Sequence, residues 1–152
     1  MSALSPASLA NAAAEAFRSR QAKAAEQVRN RGLSRGQAEA ALRPWLAIAC
    51  LCGADLPELG ELLAERIEKR TDGSWNFTPD QARGAVALDI CPRARMIDVL
   101  TRARDAALDA LPVQGDPNSP QFEAASGLNR IANHLGCKAY IPGCTAAQRR
   151  AA

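Results

Sequence analysis

The sequence predicts an all-α fold: a single-domain helical bundle of about five to six helices around a buried central helix, Trp45–Cys52. Three observations point there. No residue between Arg43 and Asp55 carries a charge, and Trp45, Leu46, Ile48, Cys50 and Leu51 face every side of a helix rather than one stripe. Such a segment is stable in water only when other elements cover it. It is too short to cross a bilayer, which takes roughly 20 apolar residues. Alanine, the best helix former, occurs 33 times, while valine and threonine are scarce and no long alternating run appears. Finally, serine or threonine followed by proline, a helix-start signal, recurs at Ser5-Pro6, Thr78-Pro79 and Ser119-Pro120.

The first helix is predicted from Ser5-Pro6 to about Asn30, with Gly32 ending it. Its apolar stripe is thin: Leu9, Ala13, Phe17, Ala24 and Val28, of which only Phe17 is large. A helix with so little core face docks weakly, so residues 1–32 are expected to protrude or move. Ser34 with Gln37 forms a capping box for the second helix. Pro44 falls inside it and predicts either a kink or a fresh start, and Gly53 reads as the C-cap.

Asp55 is expected to cap a third helix from about Leu56 to Arg70. Its stripe of Leu56, Leu59, Leu63 and Ile67, widened by Leu62, should pack on the central helix. Thr71–Ser74 reads as a turn, and Trp75 and Phe77 as rings tucked under neighbouring helices. Thr78-Pro79-Asp80-Gln81 is the strongest local signal in the chain and opens a fourth helix to about Asp89. Pro92 opens a fifth to about Leu111, with Met96, Leu100, Ala103, Ala107 and Leu111 on its stripe and Asp98–Arg102 as an i,i+4 pair.

The run LPVQGDPNSP makes residues 112–119 a loop before the C-terminal helix. That last helix is predicted to bury Phe122, Ala125, Leu128, Ile131, Ala132 and Leu135, and to stop at Gly136. Tyr140–Gly143 reads as a turn, and Thr145–Gln148 as the start of one frayed turn.

Net charge is only +3, but it is segregated. Residues 1–43 carry seven basic and three acidic groups, and residues 44–80 three and seven. The two halves of such a dipolar chain can pack on each other, or one end can steer toward an anionic partner. Five cysteines, an odd number without a visible secretory signal, suit a reducing, cytoplasmic setting better than a disulfide framework. The Ala-, Ser- and Arg-rich opening has the composition of an organellar transit peptide. Glu15 and Glu26 interrupt that pattern, and the segment is read as part of the mature protein.

Four constellations could carry chemistry. Residues 78–100 have the outline of a degenerate helix-turn-helix, with Arg93 and Arg95 where a recognition helix meets bases. Asp89 stands where glycine is usual in that turn, and Asp98, Asp105 and Asp109 would repel phosphates, which favours a purely structural helical hairpin. The face with Arg18, Arg20, Lys23, Arg29, Arg31 and Arg35, extended by Arg43, opposes six basic groups to one acid between Arg18 and Arg35. It reads as a solvated face or as a phosphate or partner contact. Cys50, Cys52, His134, Cys137 and Cys144 could supply a zinc set. However, C-x-C on a helix points its sulfurs about 200° apart, and no C-x-x-C pair exists. A Cys–His catalytic pair is conceivable, but no phosphate-cradling loop, H-E-x-x-H or G-x-S-x-G is present.

These readings predict a non-enzymatic helical interaction protein, an accessory factor or inhibitor binding another protein, with a nucleic-acid-handling machine as one candidate for that protein. No cofactor, no metal and no membrane association are expected. A DNA-binding regulator using 78–100 is the alternative, and a zinc-stabilised fold or cysteine enzyme the second alternative.

Overall fold

The computed structural model describes residues 6–67, 72–74, 77–112 and 114–143. The described residues form six α-helices and no strand: α1 (Pro6–Arg29), α2 (Arg35–Leu51), α3 (Pro57–Ile67), α4 (Pro79–Ile90), α5 (Arg93–Asp109) and α6 (Pro120–Leu135). The chain forms two compact units, residues 1–96 and 97–152, with the boundary inside α5.

In the first unit α2 is the centre, with α1 and α4 packed against it. Trp45, Ala47, Ile48, Ala49, Cys50 and Cys52 are buried, while Leu46 and Leu51 stay half-buried. The expected capping box is present, with Ser34 Oγ accepting from Gln37 N at 3.1 Å and Gln37 Oε1 from Ser34 N at 2.9 Å. Pro44 starts no new helix: α2 runs through it, and the carbonyl of Ala40 does without the N–H that proline lacks.

α1 buries Ala13, Phe17 and Ala24 and, despite its thin stripe, lies along α2. Its C-terminus departs from expectation. Gly32 N donates to Gln27 O at 2.8 Å and Arg31 N to Val28 O at 3.1 Å, the Schellman pattern, but the left-handed residue is Arg31 (φ 59°) and not the glycine after it. The end of α2 makes the same pattern with Gly53 in that place (φ 82°).

α3 begins at Pro57, later than expected, so that Leu56 rather than Asp55 stands at its boundary. Proline at the first helical position explains the shift, since it has no N–H to leave unsatisfied. α3 packs on α4 rather than chiefly on α2, with Leu56 and Leu59 buried and Leu62 exposed. Arg66 pairs with Asp89 across these two helices and its guanidinium lies 5.8 Å from the Phe77 ring centroid. Trp75 lies outside the described residues. α4 carries the Thr78–Gln81 capping box and buries Ala82, Val86 and Ala87.

In the second unit, Leu100 and Arg104 lie on the deep face of α5. Of the predicted stripe Met96 and Leu100 are buried while Ala103, Ala107 and Leu111 are half-buried, and the deep face continues instead to an arginine, Arg104, 1% exposed. Arg104 Nε donates to Asp105 at 2.8 Å, and Nη2 to the Lys138 carbonyl. The Asp98–Arg102 pair forms at 3.1 Å. Ser119 caps α6, accepting from Phe122 N at 3.2 Å, and Gly136 (φ 82°) stops it. Phe122, predicted on the core face, sits in the exposed first turn, while Ala125, Leu128, Ile131, Ala132 and Leu135 are buried. The Tyr140–Gly143 turn is present, with Gly143 left-handed (φ 80°). Thr145–Gln148 lies outside the described residues. Among the described residues no helix is long and apolar enough to cross a membrane.

Candidate interaction groove

The predicted basic residues meet several fates. Arg18 makes a two-pronged pair with Glu58, at 2.7 and 2.9 Å, and also donates to Gln21 at 2.6 Å. The hydrogen bonds hold the Glu58 carboxyl below its ordinary pKa and raise that of Arg18. Arg20 is half-buried, its guanidinium 3.7 Å from the Trp45 ring centroid and its Nη1 donating to Ala16 O at 3.1 Å. Burial lowers its pKa. Both arginines serve to seat α1, which supplements its small apolar stripe. Lys23, Arg29, Arg31 and Arg35 remain exposed. Arg93 and Arg95 are exposed on the first turn of α5.

Arg95 belongs to a groove that sequence reading did not assemble. It is an open concavity of about 470 Å³ in the first unit. One wall is the α2 face Gly36, Glu39, Ala40, Arg43 and Pro44; the other is the α4–α5 corner, Ile90, Cys91, Pro92 and Arg95. The helical spacing of the first set puts all five on one side of α2. Gly36 and Ala40 leave it low: a Cβ on Gly36 would meet no atom within 4 Å. The opposite wall follows from Pro92, which disfavours helix in the residue before it. Cys91 is accordingly extended (φ −154°, ψ 136°), and α4 stops abruptly. Arg43 and Arg95 thus line one groove from different helices, and neither makes an ion pair among the described residues. Glu39 is the single acid in the lining.

The other half of α2 is closed by Arg83, which no local sequence signal singles out. Its Nη1 donates to Cys50 O at 3.1 Å and Ala54 O at 3.0 Å, and Cys50 Sγ donates back to Arg83 O at 3.3 Å. The guanidinium supplies the cation that α2 lacks in its own last turn.

Cys50, Cys52, Cys91 and Cys137 are all buried and free; Cys144 lies outside the described residues. Burial pushes the Cys50 and Cys91 thiols up, and that of Cys52 to about 12, away from the thiolate form that attacks or binds metal. Among the described residues no group of three or more His, Cys, Asp or Glu is placed to hold a metal ion. His134 is exposed near the end of α6.

Comparison with protein-family models, with curated proteins and with solved structures finds no match. Function is therefore read from the geometry of this chain.

Proposed function

We propose that the chain is a non-enzymatic helical interaction protein, an accessory factor or inhibitor, that binds another protein through the groove between α2 and the α4–α5 corner. The observation that carries this reading is the groove itself: a concave surface with Gly36 and Ala40 exposed along α2, apolar walls at Ile90 and Pro92, and two arginines that no acid of the described residues pairs. Concave, partly apolar sites with a few placed polar groups suit a partner's side chains. Affinity capture of the full chain from its own cells tests the reading. A partner protein is expected with the wild type and lost with Ala40→Glu, which sets a carboxylate on the groove floor at an exposed helix position. Capture that is indifferent to Ala40→Glu removes the groove from consideration.

Duplex DNA binding by 78–100 is the second reading. It is favoured by the pairing of Asp98 with Arg102, which offsets one of the acids that would repel phosphates. Against it, Arg95 lines a hollow, whereas a recognition helix must stand proud to enter the major groove. Binding to duplex that falls steeply with salt and disappears in Arg93→Ala/Arg95→Ala would favour DNA over protein.

A further inference from the structure

We infer that the groove takes an acidic, apolar segment of a partner protein, with a carboxylate held by Arg43 and Arg95 and a large apolar side chain lying over Gly36 and Ala40. This rests on the protein-binding role proposed above and adds the chemistry of what is bound.

The inference starts from charge. Arg43 on α2 and Arg95 on α5 enter the same lining, and Glu39 is the one acid among its described residues, so that lining is net positive. A guanidinium is planar, always charged, and matches a carboxylate with two parallel N–H donors. Arg18 shows that geometry inside this molecule, on Glu58 at 2.7 and 2.9 Å. Arg18 is satisfied there; among the described residues neither Arg43 nor Arg95 is so paired.

Shape supplies the second half. The floor is a glycine and an alanine, and the space a Cβ on Gly36 would enter is empty. Ile90, half-buried, and Pro92, exposed, give the groove its apolar sides, above a Pro44 that is already buried. An incoming leucine-sized side chain removes these surfaces from water without displacing protein atoms. Excluding water around the arginines in turn strengthens their hold on a carboxylate. Duplex DNA presents phosphates and base edges rather than an apolar side chain, so the apolar part of the lining favours a peptide.

The test is fluorescence polarisation on the full chain with three labelled probes. They are a short amphipathic peptide carrying leucine between two glutamates, its glutamine-for-glutamate analogue, and a short DNA duplex. The acidic peptide is expected to bind saturably, and the glutamine analogue at least about tenfold more weakly, the size of one charge-assisted bidentate pair. Arg43→Gln/Arg95→Gln and Ala40→Glu should each abolish peptide binding while thermal melting stays unchanged. Equal binding of the two peptides, no saturable binding, or duplex that competes the peptide off through the same two arginines would overturn the inference. A native partner lost with Ala40→Glu but kept by Arg43→Gln/Arg95→Gln would overturn it too, while leaving the protein-binding role standing. The absence of any groove-dependent protein partner removes that role itself.

Discussion

The two halves of α2 behave as opposites. From Trp45 to Cys52 the helix is closed: Arg20 stacks on Trp45, and Arg83 caps the last carbonyls. From Gly36 to Arg43 one side is open, with Gly36, Glu39, Ala40 and Arg43 exposed along a groove. One half is committed to stability and the other is available for contact, although both belong to one uninterrupted rod. The lesson concerns arginine as well. Arg18, Arg20 and Arg83 are used inside the first unit, whereas Arg43 and Arg95 are presented outward.

This division can be broken by mutation. Trp45→Ala should cost most, about 3–5 kcal/mol, because it removes a 5% exposed indole and strands the guanidinium stacked on it. Chemical denaturation measures this, and a loss under 1 kcal/mol would mean that the closed half is not closed.

Alkaline pH should come next. Burial raises the Cys52 thiol from 9.0 to about 12, so between those values the unfolded chain has released a proton that the folded chain still holds. Stability is therefore full below pH 9 and falls as pH rises toward 12, by about 1 kcal/mol per pH unit from this residue. Cys50 and Cys91, also raised by burial, act in the same direction. Cys52→Ala should flatten the slope in denaturation curves taken across that range; an unchanged slope would assign the effect to other groups.

Arg83→Ala should cost about 2 kcal/mol, since it frees the Cys50 carbonyl in the last turn of α2 and the Ala54 carbonyl just beyond it, and removes the cation there. It should leave peptide binding at the groove nearly intact, which separates a closing residue from a contact residue.

On the open half the sign reverses. Gly36→Ala fills empty space in a helix and should stabilise by up to about 1 kcal/mol. Arg43→Ala/Arg95→Ala should stay within about 0.5 kcal/mol of wild type while losing the partner. If that pair destabilises the fold substantially, the contrast between the two halves collapses.

Much of this was legible in the chain. The neutral run around Trp45 could only be interior, because no charge interrupts it and its apolar residues face all round. Ser34, Thr78 and Ser119 cap where their sequence signals place them, because a side-chain oxygen bonding an N–H three residues on is a local event. The same locality explains Gly53 and Gly136, which hold the left-handed positions that end α2 and α6. Arg31 shows the limit of that rule. The glycine next to it was the natural choice, yet the arginine takes the left-handed conformation.

What the sequence by itself determined is which residues make helices, where those helices begin, and which one must be interior; each follows from neighbours within a few positions. Only tertiary structure decided the use of the arginines. Arg20 meets Trp45 and Arg18 meets Glu58 across gaps of 25 and 40 residues, and Arg43 joins Arg95 across one groove. A long cation is indifferent to helix register, so its role depends on what the fold brings to its tip: a ring, a carboxylate, a carbonyl or open water.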